Sequence, residues 1–205
     1  PGCAEAAEYV QDQLAGYGLS PYLDYYNITV PVDKGATLTV LGQPTEPLVF
    51  RVFPLLPNLV CPPATPGLDG PLVYVNRATT SDLRGHSVNG SVVLVDFNCE
   101  YEWLNAVSFG AKAILFIEPD ATTSYEAESK RIYSPVNIPR FYVLKEDAER
   151  LMTLLSSVEE GALNVRLESR MVWENRQAAN VVAFIPGTVN ETIALFTFYD
   201  GWSVV

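Results

Sequence analysis

The chain has 205 residues, 48% of them hydrophobic, and a formal net charge of −11. That is ample apolar material for a core in one domain or two small ones, and it leaves no basic stripe to neutralise phosphates, which excludes nucleic acid as a partner. No apolar run reaches the roughly 18 residues of a membrane helix, and the start lacks the charged-then-apolar pattern of an export signal.

The 15 prolines and 13 glycines are spread in ones and twos, which predicts many strands and turns rather than a linker. The opening GCAEAAEYVQDQLAGYG predicts a helix, because Ala6, Ala7, Val10, Leu14 and Tyr17 recur at three and four residues and Gly18 supplies a stop. YLDYYNITVPVDKGATLTVLG alternates and predicts two strands joined at Asp33-Lys34-Gly35; PLVFRVFPLL continues in strand character. The Pro-rich PNLVCPPATPGLDGP predicts a loop, since each proline removes a ladder donor.

From Leu72 the texture becomes α/β. PLVYVN predicts a strand, TTSDLRGHSVNG a short helical turn and loop, and SVVLVDFN a strand buried on both faces. YEWLNAVSFGAKAILFIEP predicts a helix, a glycine and a second buried strand. SPVNIPRFYVLKEDAERLMTLLSSVEEG repeats that scheme, with Ala148, Leu151, Met152, Leu154 and Leu155 on the helix's apolar face. LNVRLESRMVWENRQA reads as an exposed strand, and NVVAFIPGT and TIALFTFYD as two core strands. The first helix and these last strands need one another to bury their apolar faces, whereas the middle can close its own core. The expected organisation is a discontinuous outer domain, 1–44 and 170–205, interrupted by an inner one at 45–169.

Cys3, Cys61 and Cys99 are too few for a disulfide framework, and none lies in a CxxC pattern, which argues against metal or haem bound through cysteine. A Cys61–Cys99 bridge at loop edges is the candidate pairing in an oxidising compartment; the alternative is three ordinary small apolar residues. Asn27-Ile-Thr, Asn89-Gly-Ser and Asn190-Glu-Thr are glycosylation sequons, and with the low lysine content they point to an extracellular, secreted or cell-surface protein. His86 would need a nucleophile and an orienting acid to act as a base, and is read as an exposed turn residue. Glu118, Asp120, Glu126 and Glu128 offer oxygen ligands without the regular spacing of a calcium loop, and are read as a solvated acidic loop. In CEYEWLNA, Tyr101 and Trp103 flank Glu102; the corner is suited to ligand contact, with Trp103 the helix's anchor in the core.

The series DLRGHSVNGSVVLVDFN, SFGAKAILFIEP and VNIPRFYVLKEDAERL resembles the protease-associated domain: Gly85, Val88 and Gly90 before a strand, Gly110-Ala111 before a buried strand, then Ile138-Pro139 before a strand and helix. The flanks resemble secreted zinc aminopeptidases of the group that includes glutamate carboxypeptidase and the transferrin receptor ectodomain. GCAEAAEYVQDQLAGYGLSPY looks like that group's leading helix, and NVVAFIPGTVNETIALFTFYD like its first two central strands. The resemblance implies an α/β fold in which a β-rich protease-associated domain is inserted into an incomplete zinc-aminopeptidase-like domain.

In that family the second strand ends in His-x-Asp, the histidine binding one of two zinc ions and the aspartate orienting it. Here the motif stands as Phe198-Tyr199-Asp200, and a phenyl ring offers no lone pair. Asp200 alone makes no dinuclear centre. No cofactor is therefore expected in these residues, and the expected role is non-catalytic: substrate gating or contact with a protein or peptide. The rival expectation is a structural or interaction subunit that self-associates or completes its sheet with another chain, because the apolar strands VVAFI and ALFTF need covering.

Overall fold

The computed structural model describes residues 2–42, 46–55, 62–64, 66–131 and 136–199. The chain divides into two compact units, one made of Pro31–Val172 and the other of Pro1–Val30 with Trp173–Val205.

Unit Pro31–Val172 holds a closed seven-stranded barrel, made from β1 (Tyr22–Val40), β2 (Leu48–Pro54), β3 (Leu68–Tyr74), β4 (Val92–Asp96), β5 (Ala113–Ile117), β6 (Arg140–Val143) and β7 (Asn164–Val182), in the order β1-β2-β6-β5-β4-β3-β7. The β3, β4, β5 and β6 pairings are parallel; β1–β2, β2–β6 and β3–β7 are antiparallel. Each parallel step needs a crossover. α2 (Trp103–Ser108) lies in the connection from β4 to β5 and α3 (Ser124–Glu128) in that from β5 to β6; α4 (Lys145–Ser156) precedes β7. The fold is mixed α/β with minor helices.

The strand period of two explains why VVLVD is apolar throughout. Val92 and Leu94 point into a core shared with Leu38, Phe50, Leu115, Phe141, Leu151 and Leu167. Val93 and Val95 point the other way, to Trp103, Ala106, Ile114 and Phe116. Both faces are dry, so each buried Leu or Phe contributes about 2 kcal/mol or more of transfer free energy.

The glycines singled out in the sequence tie this sheet's lower edge. Gly90 and Gly110 take φ values of 78° and 90°, and the Gly90 N–H donates to the Gly110 carbonyl at 2.9 Å. Ile114 N–H then donates to Pro139 O at 3.0 Å, so the three separated motifs meet in one hydrogen-bonded rim.

In the other unit, α1 (Gly2–Gly16) ends as expected at Gly18. Its φ of 81° lets Gly18 N–H reach Ala15 O and Leu19 N–H reach Leu14 O, a Schellman closure. Of the expected apolar stripe, Ala7 is buried and Tyr17 is exposed. Thr29 Oγ1 donates to Asn175 Oδ1 at 2.8 Å across β1 and β7.

Three expectations about strands are corrected. The two strands joined at Asp33-Lys34-Gly35 are one 19-residue strand, β1. The turn chemistry there makes only a local distortion, with Gly35 at φ 109° and its N–H held by Asp33 Oδ1 at 2.9 Å. LNVRLESRMVWENRQA and the start of NVVAFIPGT are likewise one strand, β7. TIALFTFYD is not a strand: residues 183–199 carry no regular strand or helix, and Leu195 is 94% exposed. An apolar strand is stable only against neighbours that accept its ladder bonds, and no strand of the described residues pairs with this segment.

Candidate functional site

In parallel sheets the carboxyl ends of the strands are where loops gather and ligands are bound. At that edge β3 leaves through Asn76, Arg77 and Ala78, β4 through Phe97 to Tyr101, and β5 through the acidic segment before β6. Three non-glycine residues with positive φ stand here: Asn76 at 45°, Ala78 at 59° and Glu100 at 47°. They are the only such residues among those described, and backbone held in that region marks a locally over-determined site.

A buried lysine holds the edge together. Lys130 is 1% exposed. Its Nζ donates to Glu100 O at 3.0 Å, Glu126 O at 3.1 Å, Glu126 Oε2 at 3.2 Å and Ser129 Oγ at 2.8 Å. Phe97 and Phe116 present their rings 5.0 and 5.7 Å from the same nitrogen. Glu126 Oε2 also accepts the Glu100 N–H at 2.8 Å, which pins the unusual backbone of Glu100. Trp103 donates Nε1–H to Ser129 O at 3.2 Å, and the Arg140 guanidinium stacks over its ring at 5.6 Å while donating to Lys130 O. A buried ammonium with this many acceptors is a structural rivet; its donors are spent on the protein.

Around this rivet lies an exposed rim of Tyr101 and Tyr125 with Glu100, Glu102 and Arg77. The Glu100 carboxylate beside Tyr125 raises that phenol above its ordinary value. Arg77 comes within 3.8 Å of Glu100 on the opposite side. Asn98 links the β4 and β5 loops, donating to Ala121 O and accepting from Thr122. The expected aromatic-acidic corner at CEYEWLNA is therefore present, with Trp103 as its fully buried anchor and Tyr101 on the surface.

The acidic segment is not one solvated loop. It contains the helical turn α3, capped by Thr123, and its carboxylates part company. Glu126 serves Lys130, Glu118 Oε2 accepts Lys145 N–H at 2.9 Å, and Asp120 pairs with Lys145 Nζ at 2.5 Å. Among the described residues no three His, Cys, Asp or Glu side chains are grouped to hold a metal. Glu118 also sits by Tyr142, whose hydroxyl is pushed up to about 12, chiefly by burial.

His86 does have an acid. Its Nδ1 lies 2.9 Å from Glu160 Oε2, and Glu160 Oε1 accepts the Ser87 N–H at 2.9 Å. Among the described residues no hydroxyl or thiol is hydrogen-bonded to the ring, and the pair clamps a turn onto the segment after α4. Cys99 is a free thiol, fully buried, and burial lifts it to about 11, which keeps it protonated and unreactive at neutral pH. Its proposed partner Cys61 lies outside the described residues, as does Asp200. Phe198 is described and is 89% exposed. Asn27, Asn89 and Asn190 are all exposed.

Sequence reasoning missed Lys130 and Arg140. The signal for Lys130 was legible in EAESK, where Glu126 and Lys130 stand four apart as a helical ion pair does. Nothing in the local pattern says that the pair would be buried.

Residues 53–151 match the PA domain family. No curated protein sequence matches the chain. Among solved structures, the chain is similar to an aminopeptidase from Aneurinibacillus sp. strain AM-1, at 19% identity and a TM-score of 0.54, over 93% of this chain and 44% of that one. It is also similar to a peptidase M28 precursor from Shewanella amazonensis SB2B, at 18% identity and a TM-score of 0.57, over 88% of this chain and 44% of that one. The chain spans less than half the length of these structures, and at such identities the likeness is one of fold. The stretch that matches the PA domain family thus lies within a fold shared with these M28 peptidase and aminopeptidase structures. Among the described residues no helix is long and apolar enough to cross a membrane.

Proposed function

We propose that this chain is the protease-associated region of an aminopeptidase-like protein of the extracellular space, with residues 1–44 and 170–205 forming part of the peptidase-like domain and 45–169 the inserted one. Its role is to gate substrate or contact a protein or peptide, and these residues do not themselves perform peptidase chemistry. The observation that carries this reading is the PA domain match at 53–151 in a chain that overlays part of two peptidases; the sequence resemblance alone supplies the correspondence of Phe198 to that family's zinc-binding histidine. A dinuclear hydrolytic site of the kind that family uses needs several ligands to fix two zinc ions, and a phenyl ring such as that of Phe198 supplies none. The test is a panel of aminoacyl fluorogenic substrates with added zinc. No turnover is expected, and clear chelator-sensitive turnover overturns the reading.

Secretion and glycosylation at Asn27, Asn89 and Asn190 belong to the same proposal and rest on three exposed sequons. Expression through a secretory pathway should give a chain whose mass falls on deglycosylation, and an unchanged mass counts against it. A second reading, an interaction subunit that covers its apolar segment with another copy or chain, is favoured by the exposed Phe184, Ile185, Ile193, Leu195 and Phe196. Light scattering after size exclusion separates the two: a defined oligomer supports the second reading and a stable monomer removes self-association.

A further inference from the structure

A groove of about 700 Å³ runs over the outer surface of the barrel in unit Pro31–Val172, where β1 lies beside β2 and β7. Its cations are Lys34, Arg51 and Arg170, three of the 13 lysines and arginines in a chain whose formal net charge is −11. Among the described lining residues the one carboxylate is that of Glu168, whose side chain lies against Gly67. Val49, half exposed, gives an apolar floor between the charges. Thr37 stands opposite Arg51 in the β1–β2 register and turns its side chain out beside it, since Ala36 and Leu38 point in. One wall is fixed by two hydrogen bonds, Ala64 N–H to Ser169 Oγ at 2.7 Å and Ser169 N–H to Ala64 O at 3.1 Å. The Arg51 guanidinium lies over the Phe53 ring, 4.8 Å from its centroid, a contact that limits its rotamers.

The occupant follows from charge and from topology. The barrel is closed, so it offers no strand edge for a peptide to extend, and recognition must run through side chains. Outward positions of three adjacent strands give a shallow, ribbon-like surface with cations around an apolar floor. An extended segment alternating acidic and apolar residues presents carboxylates about 6.6 Å apart along one face, at 3.3 Å per residue. Guanidinium groups bind such carboxylates through paired donors. We propose that this groove docks an extended acidic peptide segment, with Arg51 and Arg170 taking the carboxylates of its facing side and Val49 packing against their aliphatic stems. The proposal does not rest on the non-catalytic reading given above; it stands whether or not the protein hydrolyses peptides.

The probe is a fluorescein-labelled octapeptide alternating Glu and Val, followed by anisotropy with the 205-residue chain, with an alternating Lys–Val octapeptide as its counterpart. The Glu–Val peptide should bind and the Lys–Val peptide should not, and affinity should fall as salt shortens the Debye length from about 10 Å at 0.1 M toward 3 Å at 1 M. Arg51→Glu with Arg170→Glu should weaken binding by at least about tenfold, as expected for the loss of two charge contacts. Arg51→Gln with Arg170→Gln should weaken it less and keeps the test informative if charge reversal unfolds the chain. Arg84→Glu, which changes the net charge as much as the glutamine pair does but at an exposed turn, should leave affinity unaltered. No binding of the Glu–Val peptide, equal binding of both peptides, or equal losses in the Arg84 and groove variants overturns the proposal.

Discussion

Replacing Lys130 with methionine keeps the apolar stem and removes the ammonium. Glu100 O, Glu126 O, Glu126 Oε2 and Ser129 Oγ then each lose the ammonium as a donor, leaving the Ser129 hydroxyl to serve Glu100 O and Glu126 O. Glu126, with a side chain only 13% exposed, keeps its charge with the Glu100 N–H as a remaining partner. Breaking one side of a buried pair costs about 3–5 kcal/mol, mostly as the uncompensated charge left behind. At about 2–4 °C per kcal/mol for a chain of this size, Lys130→Met should lower Tm by roughly 6–20 °C. Glu126→Gln should cost less, because Lys130 keeps three oxygen acceptors and two ring faces. The double variant should recover part of the loss, giving a coupling energy of about 1–3 kcal/mol. Urea titrations followed by far-UV circular dichroism measure all four forms. A Lys130→Met protein within about 1 kcal/mol of the parent would falsify the account of this lysine as a rivet.

Two further effects follow from packing and burial. A Cβ at Gly70 would meet the Gly90 carbonyl oxygen at 2.7 Å, so Gly70→Ala must move backbone and should destabilise by about 1–3 kcal/mol. Gly16→Ala in α1 meets no atom within 4 Å and should be neutral or stabilising by a few tenths of a kcal/mol; equal melting shifts in the two variants would sink the argument. Cys99 is raised from 9.0 to about 11 in the folded state, so the unfolded chain loses that proton first as pH rises. The stability this protonated thiol contributes is intact below pH 9 and is lost between about 9 and 11, amounting to about 3 kcal/mol. Cys99→Ala should flatten the urea midpoint against pH in that window, and an unchanged slope would show that the thiol is not its source.

What was legible in the sequence is what local pattern controls. The continuous apolar runs of β4 and β5, the glycines at positions 18, 90 and 110, and the apolar face of α4 each predict the element found, because each is decided within a few residues. The Gly85–Gly90, Gly110-Ala111 and Ile138-Pro139 series falls within the stretch that matches the PA domain family, where Gly90 is bonded to Gly110 and Pro139 to Ile114. Failures came where a long-range partner overrides local chemistry. Asp33-Lys34-Gly35 has the composition of a hairpin turn, yet β1 runs through it because β2 and β7 supply neighbours on both sides. The reverse holds for TIALFTFYD, whose propensity is for a strand and which has none of its bonds met by a described strand. The site was half legible: the aromatic-acidic corner could be named, but the burial of Lys130 beneath it is a property of α3 folding back over Phe97 and Phe116.

That burial also decides where ligand contact is left to occur. An open α/β sheet keeps a crevice at its carboxyl edge because its loops diverge there. In this chain the same edge is closed by Lys130, whose donors are committed to Glu100, Glu126 and Ser129, and by Trp103 beneath Arg140. Polar groups already satisfied have nothing to gain from a small molecule that must displace them. Tyr101 and Tyr125 remain exposed there with Arg77, Glu100 and Glu102, an aromatic and charged rim rather than an enclosed pocket. The barrel's outer surface, by contrast, keeps Arg51 and Arg170 exposed in a protein of opposite overall charge. Holding cations of one sign together costs repulsion energy that burial does not recover, and an acidic partner removes that cost on binding. The groove variants and the Lys130 variants should therefore separate cleanly: the first change affinity at unchanged Tm, the second change Tm at unchanged affinity of the folded form.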